Sequence, residues 1–393
     1  MDAGRCASPR IGPHPFASRP EVRMPREVID LPPLAPGLVP RLSVLRFGEA
    51  DRGPKIYIQG ALHADEAPGT LAAHRLAERL AALPGEAICG EIVIVPVANP
   101  IGLSQRVLGL HLGRYALEDG RNFNRGYPDI AEAVIARLEG RLGSHEAQNT
   151  ALLKATLRSV LAAQAPAEPV PALKHRLLLL AIDADWVFDL HCDAEALPHL
   201  YTQPGFVAEF APFARLMGAR AILTAEASGD HPFDEAISVV WERVRAAYTL
   251  HPLRRGGIAA TVELRGQQDT EPQFAERDAE AILGFLTRIG VIAGERPRLP
   301  EAACEPTPLA GCSLIEAPAT GALQWHVPLG TDLKQGEVIA GIIDAASGQS
   351  TAVIAECDGL FFARSQLRQV FQGQKLGKIA GREPLRSGPL LGP

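Results

Sequence analysis

The chain has 393 residues, 47% of them apolar and 21% charged. This is the composition of a soluble globular protein and excludes a chain disordered throughout. Thirty-nine basic residues against 45 acidic ones leave a net charge of −6, so the basic footprint of a nucleic-acid binder is missing and no nucleic-acid partner is expected. No uncharged apolar run reaches the roughly 18 residues of a membrane span. The most apolar window, Leu177 to Ile182, is short and closed by Arg176 and Asp183, so no membrane partner is expected either. The start, Met-Asp-Ala-Gly-Arg-Cys, has no apolar signal segment. The six cysteines, at 6, 89, 192, 304, 312 and 357, include no C-x-x-C pair. Reduced thiols and a cytoplasmic protein follow as the expectation.

In chain order, residues 1–24 are expected to be a flexible N-terminal extension, with Met24 a candidate initiator. Strands are expected at Arg41–Phe47 and Lys55–Gln59. The apolar spacing of Leu71, Leu76, Leu80 and Leu83 predicts a helix over Thr70–Leu83. A strand follows at Glu91–Val97, weakened near its end by Pro96. Strand, helix, strand at this spacing is a βαβ unit, which builds mostly parallel sheets with helices on both faces. Residues 99–129 lack periodicity and form a long loop, a feature that in compact domains is usually functional. Helix is expected over 130–165, broken by prolines between Pro166 and Pro171 and resumed at Leu173–Leu180. Strands are expected at Trp186–Leu190, from Leu200, at Ala221–Thr224 and at Ile258–Leu264, with helices at Val207–Met217 and Glu276–Ile289.

The prolines at 297, 300, 306 and 308 mark a linker over 294–308 that closes a domain of residues 25–293. Short strands between evenly spaced glycines then predict a small all-β barrel or sandwich over 309–385. The expected fold class is thus α/β, a mixed, mostly parallel sheet with helices on both faces, plus a C-terminal barrel-sandwich domain.

Four segments carry chemistry-bearing residues. The strand ending at Gly60 runs into His63-Ala64-Asp65-Glu66, where an imidazole and a carboxylate three apart can reach one cation. Sheets of this kind place ligands at the C-terminal ends of their strands. The apolar strand Val187-Phe188-Asp189-Leu190 delivers His191. Two imidazoles and one carboxylate form a catalytic zinc set with a fourth position left for water. Glu263 sits in the apolar strand Thr261-Val262-Glu263-Leu264, where an unpaired carboxylate is costly unless it faces a cation or works as a general base. The long loop holds Asn99-Pro100-Ile101-Gly102, Arg106 and Arg121-Asn122-Phe123-Asn124-Arg125, and Asn beside Arg can grip a carboxylate.

Taken together in this order, these segments resemble the zinc carboxypeptidase clan and, more narrowly, the succinylglutamate desuccinylase/aspartoacylase family. The resemblance covers about residues 40–290, and an appended β-domain also occurs in that family. It implies one zinc ion per chain held by His63, Glu66 and His191, with Glu263 as the catalytic glutamate. It also implies Arg106 as the oxyanion-stabilising arginine, and Asn124 with Arg125 as the substrate-carboxylate pair. Arg121 is a second candidate for that carboxylate, because the loop departs from the family's commoner pattern by having Phe123 before Asn124. Asp193 is a candidate to orient a ligand.

The implied activity is hydrolysis of the amide of an N-acyl amino acid or a similar small carboxylate-bearing amide. The alternatives are a carboxypeptidase acting on a peptide or unusual amide, and an inactive binding protein of the same fold. The C-terminal segment resembles biotinyl/lipoyl-type barrels, but its hairpin Asp344–Ser350 has no carrier lysine, so no covalent cofactor is expected. A lid, a homo-oligomer contact or a substrate gate are the roles left open for it.

Overall fold

The computed structural model describes residues 24–390, and the extension expected over 1–24 lies outside them except for Met24. The chain opens with β1 (Arg26–Asp30), β2 (Arg41–Gly48), β3 (Lys55–Gly60), α1 (Ala67–Ala81) and β4 (Glu91–Val95). The long connection after β4 holds a four-residue helix, α2 (Pro100–Leu103), and a hairpin, β5 (Arg106–Val107) with β6 (Leu110–His111). Three helices follow, α3 (Ala131–Leu138), α4 (Glu146–Ala162) and α5 (Pro169–Ala181). Next come β7 (Trp186–Asp193), β8 (Glu195–Ala196), β9 (His199–Thr202), α6 (Val207–Met217), β10 (Ala221–Thr224), α7 (Phe233–Ala247), β11 (Ile258–Gly266) and α8 (Pro272–Arg288).

Three details differ from the sequence reading, the first being that the helix expected over 130–165 is two, α3 and α4, separated by a turn at residues 139–145 that contains Gly140 and Gly143. Helix α5 starts at Pro169, inside the stretch expected to break it, because the first turn of a helix has no use for the N–H that proline lacks. Helix α7 was not expected at all, although Phe233, Ala236, Ile237, Val240, Trp241 and Val244 form one buried face at helical spacing.

Among the described residues, nine strands form one sheet in the order β1-β2-β4-β3-β7-β11-β9-β10-β12, where β12 is Pro306–Pro308. The pairs β4/β3, β3/β7 and β7/β11 are parallel. The antiparallel pairs are β1/β2, β2/β4 and β11/β9. The sheet is therefore mixed and mostly parallel, as expected. The last residues of the expected linker are a third element of that sheet's far edge, since β12 runs parallel to β10.

Alternation along the central strands sends successive side chains to opposite faces. Tyr57, Val93, Val187 and Ala259 pack with α3, α4, α5 and α7. Ile56, Ile58, Phe188, Leu190 and Val262 pack with α1, α6 and α8. Both faces are covered, which is why these strands are continuously apolar.

The C-terminal domain holds β13 (Cys312–Glu316), β14 (Gly321–Trp325), β15 (Asp332–Leu333), β16 (Val338–Asp344), β17 (Gln349–Ile354), β18 (Gly359–Arg364), β19 (Gln369–Val370) and β20 (Lys375–Ala380). Its two sheets close on a core that includes Ile315, Leu323, Ile342, Val353, Phe361 and Ile379. It also docks on the first domain: β8 pairs antiparallel with β18, and Ala196, Leu223, Phe362 and Ala363 share one apolar cluster.

Candidate active site

Three neighbouring parallel strands deliver the predicted residues. The chain leaves β3 at Gly60, passes through Ala61 in a left-handed conformation (φ 54°) and reaches His63. A left-handed alanine costs energy that the surrounding fold must supply, a strain often stored beside functional groups. The loop folds back tightly enough that a Cβ on Gly69 would sit 2.6 Å from the Leu190 carbonyl oxygen of β7. This close approach carries Glu66 to His191. On the far side of β7, Glu263 of β11 lies in register directly opposite His191.

The donor atoms converge. His63 Nδ1 is 2.9 Å from Glu66 Oε1, and His191 Nδ1 is 2.9 Å from Glu66 Oε2. The opposite ring nitrogens are held from behind: His63 Nε2 is 2.9 Å from Asn122 Oδ1, and His191 Nε2 is 3.0 Å from Asp189 Oδ2. Asn122 Oδ1 is an acceptor, so a neutral His63 carries its proton on Nε2 and turns the Nδ1 lone pair towards Glu66. Two imidazole nitrogens and a carboxylate that converge in this way can share one cation. His63, Glu66 and His191 are all buried, and they form a group able to hold a metal ion. The donor set of two imidazoles and one carboxylate is that of catalytic zinc.

The electrostatics of the bare protein show the same demand. Burial alone would raise Glu66, yet the two histidines hold it well below the carboxylate range. Burial lowers His63, against the opposing pull of Glu66. His191 is also penalised by burial, but Asp189 and Glu66 outweigh it and raise it well above the ordinary histidine value.

Asp189 is itself fixed by a relay across β3 and β7. Tyr57 donates to Gln59 at 2.8 Å, and Gln59 Nε2 donates to Asp189 Oδ1 at 2.9 Å.

Glu263 is half-buried on the cavity wall. Its Oε2 is shut off from solvent without a hydrogen-bond partner. Burial, then the Asp193 and Glu66 carboxylates, push its carboxyl up to about 8. A proton acceptor poised near neutrality is suited to general acid–base work.

The arginines are arranged differently from the sequence reading. Arg106 is exposed on β5, where it donates to the carbonyls of Leu103 and Gln105, and it does not line the cavity. Arg114 does: its Nη1 lies 3.1 Å from His63 Nδ1 and 3.2 Å from Glu66 Oε1. Gly113 puts it there, since Gly113 accepts from the Ala64 N–H at 3.0 Å and a Cβ on it would sit 2.3 Å from the Asp65 nitrogen.

Asn124 and Arg125 line the cavity. Asn124 Oδ1 accepts from the Phe233 N–H at 2.9 Å, and its Nδ2 lies 3.3 Å from His191 Nε2. Arg121 is exposed, paired with Asp119 at 2.5 Å, and faces a separate groove. Lys174 of α5 pins this loop by donating to the carbonyls of Asn122 and Arg125 at 3.0 and 2.6 Å. Asp193 faces the C-terminal domain. It binds Lys378 of β20 at 2.5 Å, and the same ammonium lies 3.3 Å from the Tyr201 hydroxyl. Asp193, His199 and Glu263 form a second group of potential metal donors, but Lys378 already supplies its cation.

Sequence reasoning missed Arg114, Asn122, Lys174 and Lys378. Arg114, in Gly113-Arg114-Tyr115, was as visible as Arg106. The Lys378 contact joins residues 185 positions apart and left no local signal.

Residues 52–157 match the succinylglutamate desuccinylase/aspartoacylase catalytic domain. The chain is 26% identical over 352 residues to the N-alpha-acetyl-L-2,4-diaminobutyric acid deacetylase of Halomonas elongata, covering 86% of this chain and 84% of that protein. Its fold is similar to that of a solved protein of the same family from Shewanella amazonensis, with a TM-score of 0.79 and 25% identity over 90% of this chain and 98% of the other. It is also similar in fold to the product-bound ectoine utilization protein EutE (DoeB) from Ruegeria pomeroyi, with a TM-score of 0.62 and 18% identity over 92% and 97% of the two chains. The likeness seen in the sequence motifs therefore stands, and it is to the succinylglutamate desuccinylase/aspartoacylase family that residues 52–157 are similar.

Proposed function

We propose that the protein is a zinc-dependent amidohydrolase that removes the acyl group from an N-acyl amino acid. The observation that carries this reading is the register of Glu263 beside His191. It sets an unpartnered carboxylate oxygen in the cavity lined by His63 and His191, whose donor atoms converge with that of Glu66. The deacetylase activity named for the Halomonas relative supports it.

Zinc, when bound by His63, Glu66 and His191, supplies the Lewis acidity that lets water attack near neutral pH. Glu263 takes a proton from the attacking water and passes it to the leaving nitrogen. Arg114 presents its guanidinium on the same side as the metal ligands, where it stabilises the developing oxyanion; it takes the role first read for Arg106. Arg125 binds the substrate carboxylate, with Asn124 holding the loop against α7, so that binding becomes orientation. The cavity they line has a volume of about 100 Å³.

The described cysteines are all free thiols, in keeping with work in the cytoplasm. Among the described residues, no helix is long and apolar enough to cross a membrane.

The test is elemental analysis of the purified protein, followed by a screen of N-acyl amino acids read out as free amine. One zinc per chain and release of amine are expected. Release of a C-terminal residue from a peptide, with acyl amino acids untouched, would replace this reading with a carboxypeptidase.

A further inference from the structure

Glu263 has a histidine on either side. His191 of β7 lies in register with it on one flank, and His199 of β9 on the other. His191 belongs to the first donor set. His199 belongs to a second, with Asp193 and Glu263, in which one donor atom from each residue lies within 4.8 Å of the others.

The second set has the features of a metal site. His199 is fully buried, and its Nδ1 donates to the Leu197 carbonyl at 2.8 Å. Burial pushes its imidazole down to about 4, so the ring is neutral and Nε2 is left with a lone pair. That nitrogen has no hydrogen-bond partner, and it lies 3.7 Å from Asp193 Oδ2. Glu263 Oε2 is a second buried acceptor without a partner. Donors around one tetrahedral zinc stand about 3.3 Å apart, so side-chain movements of about 1 Å would close this set on an ion.

A cation from the other domain already serves the set. Lys378 of β20 holds its ammonium against Asp193 Oδ2 at 2.5 Å and against the Tyr201 hydroxyl at 3.3 Å. It lines the cavity together with Asp193, Tyr201 and Glu263. Its charge acts on Asp193, His199 and Glu263 alike. The lysine is brought there by the docking of the two domains: β20 pairs with β18, and β18 pairs with β8. Two carboxylates this close repel one another, and either a fixed ammonium or a divalent ion relieves that repulsion.

We infer that Lys378 stands in for a second divalent ion. It supplies the charge of a latent metal site, limits the protein to one zinc per chain, and keeps Glu263 from being taken as a ligand. The inference rests on the reading of His63, Glu66 and His191 as the first zinc site, and the two can fail separately.

The probe is zinc alone, counted by elemental analysis after gel filtration from a twofold excess and followed by calorimetry. The unaltered protein should hold one zinc per chain. Lys378→Ala should hold two, the second bound at least about tenfold more tightly than any further zinc in the unaltered protein, because one repelling charge is gone. Lys378→Gln keeps a donor for Asp193, and hence the contact between the domains, and should do the same if the alanine variant fails to fold. Lys378→Arg should stay at one. Adding His199→Ala to either neutral variant should return the count to one. In Lys378→Ala, kcat should fall as the second zinc loads, since Glu263 is then a ligand, while the unaltered enzyme keeps its rate over the same range.

One zinc in both the unaltered protein and a folded neutral variant overturns the inference and leaves the first site intact. Two tightly held zinc ions in the unaltered protein overturn it as well, and so does a second zinc that survives His199→Ala. No zinc in the unaltered protein, with one in Lys378→Ala that His199→Ala removes, would end the reading of the first site and keep the role of Lys378.

Discussion

The ends of β3, β7 and β11 and the connection between residues 99 and 127 both face the cavity, but they are built differently. At the strand ends, position is set by register. Gly60 pairs with Leu190 and His191 with Glu263, each locked by a parallel ladder whose two faces are buried. A shift by one residue would turn every apolar side chain to the wrong face. In the connection, position is set by scattered contacts: Gly113 against Ala64, Asn122 against His63, Lys174 against the Asn122 and Arg125 carbonyls. Residues in the first region can be assigned roles from their place in a strand. In the second, neighbours in sequence end on opposite sides of the loop, and Phe123 between Asn122 and Asn124 is fully buried in the core.

The largest effects should come from breaking the register-locked region. Glu263→Gln should keep its metal and lose about two to four decades in kcat, the usual worth of a positioned general base. His63→Ala should lose both metal and activity, because two of three donors cannot hold the site. Elemental analysis beside steady-state rates separates the two. Full activity in Glu263→Gln would remove that residue from the chemistry.

The next test moves into the connection. Arg114→Ala should lower kcat by about 10²–10³, as expected for removal of one oxyanion donor. Arg114→Lys should recover only part of this, since an ammonium lacks the planar fork of the guanidinium. Gly113→Ala acts through the same residue. Its new Cβ would meet backbone atoms of Ala64 and Asp65 and push Arg114 off the metal loop. A displacement of about 1 Å can cost up to a hundredfold in rate, with retained metal content separating it from a loss of the ligand loop.

This difference explains what could be read from the sequence. Strands β3, β4, β7, β10 and β11 were legible because continuous apolar runs end at turn residues. His63, Glu66, His191 and Glu263 were legible because they interrupt or terminate those runs. Helix α7 carries a readable apolar stripe of Phe233, Ala236, Ile237, Val240, Trp241 and Val244. Arg114 and Lys378 were not legible: nothing local distinguishes an arginine on a loop facing inward from one facing water. The role of the β-domain was hidden for the same reason. It walls the cavity through Lys378 and Leu309, and both depend on how β18 meets β8.

The smallest expected effect is also the sharpest check on the comparison. Arg106 and Arg121 sit in the same connection as Arg114 and Arg125, and a reading by composition treats all four alike. Arg106 spends its donors on two carbonyls of its own turn, and Arg121 on Asp119 two residues away. Both are exposed, so alanine at either should change kcat/KM by no more than about twofold, the range of ordinary surface substitutions. If Arg106→Ala instead matched the loss in Arg114→Ala, the hairpin of β5 and β6 would have to fold over the cavity during turnover. The connection would then be a moving part of the site rather than a fixed wall held through Gly113.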